Sequence, residues 1–153
     1  MKKFYTIFLT FLLILIIKIN DVEAKSKNFF VSLRADSVNM RIGPNIQNPV
    51  KFTYQVKGLP MEVLDEFDGW YKLKDHLGDS GWVNKNLTSK KKTAIVLNET
   101  QIVFKKNNIE SRPILRIGKG IVVKIKKCSE NWCKIRIEDY VGWMEKKGLW
   151  GGI

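Results

Sequence analysis

Lys57-Gly58-Leu59-Pro60-Met61-Glu62-Val63, followed by Trp70-Tyr71-Lys72-Leu73 and Gly81-Trp82-Val83, is the stretch that decides the fold. Met61 and Val63, then Tyr71 and Leu73, recur with a period of two, while Glu62, Lys72 and Lys74 stand between them, the pattern of strands with one wet face. Glu66-Phe67-Asp68-Gly69 separates the two runs and reads as a hairpin loop, with Gly69 taking a positive φ that a side chain would oppose. A shift of about 62 residues lays the stretch on Lys119-Gly120-Ile121-Val122-Val123-Lys124-Ile125 and on Trp132-Cys133-Lys134-Ile135. With one residue deleted, Gly81-Trp82-Val83 falls on Gly142-Trp143-Met144. Two Trp pairs and two Gly pairs in register identify an internal duplication.

Working outward, apolar runs of four to seven residues alternate with Gly, Pro, Asn, Asp and Ser clusters from Phe29 onward, and no helical period is found. The expected fold is all-β, as two tandem barrels over residues 29–88 and 93–150 joined by Ser89-Lys90-Lys91-Lys92. Units of about 55 to 60 residues bury only about 60% of their unfolded surface, so each needs tight sheet closure or help from its neighbour.

Residues 1–24 read as a signal peptide: Met1-Lys2-Lys3 is a positive start, Phe4 to Ile17 are fourteen residues without a charge, and Val22-Glu23-Ala24 suits cleavage before Lys25. A membrane span needs roughly 20 apolar residues, so an uncleaved anchor is the weaker reading. The expected location is periplasmic or secreted, with no stable membrane anchor after cleavage. The 153 residues carry 27 Lys and Arg against 15 Asp and Glu, a net charge of +12. Lys outnumbers Arg 22 to 5, which matches AT-rich coding better than a selected phosphate-binding face, and nucleic acid is not an expected partner. With 44% apolar and 27% charged residues, the expected class is globular rather than wholly disordered.

Chemistry asks for titratable and nucleophilic groups. His76 is the single histidine and lies in a polar loop with no nucleophile signature around it, so it reads as a loop residue. Glu62, Asp65, Glu66, Asp68 and Asp79 cluster in the first unit, but acids at hairpin tips are solvated, and a hydrolase using paired carboxylates needs them buried in a cleft. Two cysteines and one distant histidine cannot hold a metal, and no cofactor is expected. Cys128 and Cys133 flank Ser129-Glu130-Asn131-Trp132 at the second hairpin. In a secreted chain an even pair invites a disulfide across the hairpin; a redox pair is the alternative, although redox motifs usually place two residues between the cysteines.

Val38-Asn39-Met40-Arg41, Gly43-Pro44, Val56-Lys57-Gly58, Val63-Leu64, Gly69-Trp70, Lys72-Leu73 and Gly81-Trp82-Val83 together resemble bacterial SH3-like domains over Val31 to Thr88. The second unit keeps the Lys-Gly, Trp and Gly-Trp elements. At the front it has Gln101-Ile102-Val103-Phe104-Lys105-Lys106 in place of Asn-x-Arg-x-Gly-Pro, so a groove that depends on that loop is expected in the first unit only. The whole chain is similar to a family of paired, secreted SH3-like proteins of alphaproteobacteria, in which the second unit carries a Cys-x4-Cys hairpin and the chain finishes near Leu-Trp-Gly.

The resemblance implies the fold and a periplasmic location more than a ligand; the function expected is a noncatalytic module that docks peptidoglycan peptide or glycan, or a periplasmic envelope protein, in the groove of the first unit. Of the aromatics, Trp82 and Trp143 read as core, whereas Trp70 is the expected groove wall, beside Asp68 and near Tyr54 and Tyr71, with Asn39, Arg41, Gly43 and Pro44 in the loop that would form the opposite wall. An aromatic wall beside an acid suits a peptide bearing free amino groups. The alternative is a general anionic-surface binder using the second half, where Thr93 to Ile153 carries 12 basic against 6 acidic residues. An unrecognised hydrolase is a distant third.

Overall fold

Period-two alternation closed by turn residues leaves each strand one apolar face to bury, and both units bury it by curling the sheet on itself. The computed structural model describes residues 29–153; the targeting segment expected over residues 1–24 lies outside the described residues. The first unit contains β1 (Phe29–Leu33), β2 (Val38–Arg41), β3 (Val50–Tyr54), β4 (Pro60–Phe67), β5 (Trp70–Lys74), β6 (Ser80–Asn84) and β7 (Thr88–Ser89), in the spatial order β3-β2-β6-β5-β4-β1-β7. The second contains β8 (Thr93–Val96), β9 (Thr100–Phe104), β10 (Pro113–Gly118), β11 (Val122–Cys128), β12 (Trp132–Ile137), β13 (Tyr140–Glu145) and β14 (Leu149–Gly151). Its order, β10-β9-β13-β12-β11-β8-β14, repeats the first. Two tandem SH3-like barrels are therefore present, as expected. The last strand of the first unit takes in Ser89, which leaves Lys90–Lys92 as the connector.

The β4–β5 hairpin turns on Asp68 and Gly69, with φ of 39° and 78°. A two-residue turn with both central residues at positive φ matches the twist of the flanking strands. The sequence reading expected this of Gly69 alone. It also expected no helix, yet single 3-10 turns occupy Lys85–Leu87 and Lys146–Gly148. Three residues are too few to show a period; the first turn is set by the Asn84 side chain, which accepts from the backbone N–H of Asn86.

The Gly-Trp elements have a packing cause. A Cβ on Gly81 would lie 2.8 Å from the Arg41 carbonyl oxygen, and one on Gly142 would lie 2.7 Å from that of Phe104. Each glycine lets β6 or β13 cross close to β2 or β9 as the barrel shuts. The same crossing corrects the repeat alignment. Arg41 pairs with Trp82 and Phe104 pairs with Trp143, so Phe104, rather than Val103, stands at the Arg41 position. Buried Val103 replaces buried Met40. A one-residue slip inverts every side chain of a strand, so burial of one face sets the register.

The seam between the barrels explains how units this small are stabilised. All four residues of β8 are buried. Ala94 and Val96 enter the second core, whereas Ile95 packs into the first, with Val122 and Trp150 against it. Trp150 meets Phe30 edge-on at 5.0 Å and lies 6.2 Å from the His76 ring. One strand thus serves two cores.

Candidate functional site

The residues that the resemblance singles out in the first unit turn out to be fastenings of the barrel. Asn39 accepts a 2.8 Å hydrogen bond from the Thr53 hydroxyl and ties β2 to β3. Arg41 donates through Nη1 to the Asn48 carbonyl at 2.6 Å, and the missing side chain at Gly43 leaves room for the Asn48 amide. The Asn-x-Arg-x-Gly-Pro element therefore closes its own loop, residues 42–49. Tyr54 donates to Asp75 at 2.9 Å, and the other Asp75 oxygen accepts from the backbone N–H groups of Leu77 and Asp79. Burial first, and then this hydrogen bond and the Asp75 charge, push the Tyr54 hydroxyl well above its usual pKa.

Tyr54 does not converge on Trp70. Tyr54 reaches the end of β5 at Asp75, whereas Trp70 begins β5, roughly 16 Å away at the rise of a strand. Asp68 is exposed at the hairpin tip. Tyr71 packs against the first core and takes the Phe29 ring edge-on at 5.8 Å, with Lys85 Nζ 4.9 Å from its ring centre. Trp70 itself is only 8% exposed, so it belongs to the barrel rather than to an open wall. Trp82 and Trp143, expected in the core, are half-buried instead. The alternation explains the exchange: Gly81 and Val83 take the inward positions of β6 and leave Trp82 on the outer face.

An open cleft of about 810 Å³ lies on the second unit, where no groove was expected. Its sides are Asn107, Asn108 and Ile109 of the β9–β10 loop, Glu130 and Asn131 of the β11–β12 hairpin, and Glu145, Lys146 and Lys147 at the second 3-10 turn. Trp132 and Leu149 form the apolar lining, and Ile153 closes one end. Local structure places each group. The Asn131 carbonyl accepts from the backbone N–H of Lys146 and anchors the hairpin to the 3-10 turn at 2.9 Å. Glu145 pairs with Lys147 at 3.0 Å. Phe104 meets Trp132 edge-on at 5.7 Å and holds the indole in place. The cleft thus offers an aromatic surface, amides, and both signs of charge.

Sequence reasoning missed this cleft because it took Arg41 and its loop as the groove wall. The usable signal was Trp132 beside Glu130 and Asn131, read together with a Phe at the Arg41 position. Cys128 and Cys133 are disulfide-bonded across the hairpin, with Cα atoms 4.0 Å apart as directly opposed partners of β11 and β12. The bond clamps the strands that carry Glu130, Asn131 and Trp132. His76 lies at the seam beside Trp150 and does not line the cleft, and its Nδ1 is buried without a hydrogen-bond partner among the described residues.

The sequence profile described as the bacterial SH3 domain matches this chain twice, over residues 34–90 and 102–151. No curated protein matches it. Among solved structures it is similar to NlpC2 from Trichomonas vaginalis, at 10% identity and a TM-score of 0.37, covering 83% of this chain and 49% of that one. NlpC1 from the same organism matches at 10% identity and a TM-score of 0.37, covering 83% of this chain and 47% of that one. The chain spans about half the length of both.

Proposed function

The chain belongs to the bacterial SH3 domain family, and from that premise we propose that it is a noncatalytic binding module of the cell envelope, periplasmic or secreted, whose ligand is a short extended peptide held in the cleft of the second unit. The observation that carries this reading is the pairing in one cleft of an aromatic lining with carboxylates and ammonium groups. A peptide that bears both free amino and free carboxylate groups matches that distribution, and the stem peptides of peptidoglycan have this chemistry. Glu130 and Glu145 suit the peptide's amino groups, Lys146 and Lys147 its carboxylates. Asn107, Asn108 and Asn131 suit its backbone, and Trp132 offers a face for its apolar stems.

Purified wall sacculi, with and without their stem peptides, test the proposal against the full protein in a pull-down. Trp132→Ala, shown folded by its melting curve, should weaken retention by roughly tenfold or more, whereas Trp70→Phe should leave it near the original level. Removal of the stem peptides should abolish retention. Equal retention of the Trp132→Ala variant, or of sacculi stripped of peptide, would overturn the reading.

A further inference from the structure

The second unit carries a charge reversal that peptide binding in the cleft does not explain. In the first unit the outward faces of β4 and β5 oppose Glu62 to Lys74 and Asp65 to Lys72, and Glu62 and Lys74 form a 2.6 Å ion pair. At the corresponding positions of β11 and β12, Lys124 opposes Arg136 and Lys127 opposes Lys134. Both acids have become lysines, and the four positions pass from two acids and two bases to four bases. Both hairpins carry their bulge at this point, and its extra residue changes from Leu64 to Lys126. Like charges placed directly opposite each other destabilise a sheet. Among the described residues no carboxylate lies within ion-pair distance of any of these five cations.

We propose that this face is a docking strip for a linear, phosphate-bearing polyanion. Cross-strand side chains stand roughly 5 Å apart and alternate residues of a strand roughly 7 Å apart, so the cations form two rows across the strands. Trp143 extends one row: it is opposite Lys134, half-buried, and has Lys127 Nζ 5.4 Å from its ring centre. Acids bound the strip at both ends, with Glu138 and Asp139 at the β12–β13 turn and Glu130 and Glu145 beyond Trp132. A planar anionic bilayer would press its headgroups on those carboxylates, whereas a linear chain crossing the strands meets only the cations and Trp143. This favours a polymer over a membrane. The strip adjoins the cleft but uses none of its lining residues, so it is independent of the peptide reading.

Labelled linear polyphosphate, titrated into the full protein over a salt series, reads the site directly. Neutralising about four phosphates gives a slope of log affinity against log salt of roughly −3. Lys124→Glu with Lys127→Asp restores the first unit's charge pattern; this variant should melt no lower than the original, keep its retention on sacculi and lose polyphosphate affinity by at least about tenfold, with a shallower slope. Lys90→Glu with Lys91→Asp makes the same change in net charge on the connector and should retain most of the affinity. If the strip variant does not fold, Lys124→Gln with Lys127→Gln gives the same reading. Equal loss in the strip and connector variants would overturn the proposal in favour of undirected attraction. Unchanged affinity in the strip variants would overturn it outright, and tighter binding to phosphatidylglycerol vesicles than to polyphosphate would assign the face to a membrane.

Discussion

The two barrels share a strand order and a bulge, yet they are fastened by different chemistry at equivalent points. Where the second hairpin has the Cys128–Cys133 bond, the first has Glu66 opposite Tyr71, and Lys85 both pairs with Glu66 and lies over the Tyr71 ring. Where the first buries the Tyr54–Asp75 hydrogen bond, the second has Ile117 in its core and Ile137 packed against it. Where the first lets Arg41 close its loop through Asn48, the second places Phe104 against Trp132. The first unit relies on polar ties that consume its polar side chains. The second relies on apolar contacts and a covalent clamp, which leave Glu130 and Lys146 at the cleft and the cations of β11 and β12 outside any ion pair among the described residues. In a duplicated fold, whichever copy is held together by apolar and covalent means has polar groups left for ligands.

The largest expected effect tests what the barrels have in common. Gly81→Ala and Gly142→Ala each force a Cβ against a backbone carbonyl, and each should cost about 3 kcal/mol by overpacking. Denaturant melts of both variants check the equivalence; a loss in one variant only would mean that the two closures are not the same device.

The clamp comparison comes next. Replacing Cys128 and Cys133 by Ala should lower stability by about 2 kcal/mol in the chain-entropy account while leaving the β-type spectrum intact. Glu66→Ala, which removes the counterpart in the first unit, should cost less than about 1 kcal/mol, because Glu66 is solvent-exposed and the pair is screened. A larger loss from Glu66→Ala than from the cysteine pair would invert the comparison.

The smallest effect concerns alkaline pH. The Tyr54 pKa is raised in the folded chain, so its neutral form favours folding. That contribution is fully present below about pH 10, the usual tyrosine value, and is lost as the pH rises through the higher folded value. Tyr54→Phe should cost about 1.5 kcal/mol at neutral pH, for a hydrogen bond lost to buried, charged Asp75, and should flatten the decline of stability above about pH 10. Melts of both proteins across that range decide it; an unchanged alkaline slope would assign the decline to other groups.

Local sequence was sufficient for most of the architecture. Period-two burial in Met61–Val63 and Tyr71–Leu73, positive φ at Gly69 and the repeated Trp and Gly-Trp elements each report on neighbours that are adjacent in the chain or directly across a hairpin. The Cys128–Cys133 pairing was legible for the same reason, being confined to one hairpin. The site was not. Whether an aromatic is wall or core depends on which face its strand turns to the barrel, and in β6 that was settled by Gly81 meeting the β2 backbone.

The sequence by itself therefore determined two tandem all-β barrels, the turn at Gly69 and the covalent clamp, since these follow from periodicity and short-range geometry. Tertiary structure alone decided that Trp70 is buried, that Phe104 rather than Val103 stands in for Arg41, that β8 serves both cores, and that Lys124 and Lys127 oppose further cations. The first, second and fourth depend on cross-strand register and on the bulge that shifts it, and the third on the seam, in which residues far apart in sequence exclude water together; periodicity alone specifies neither.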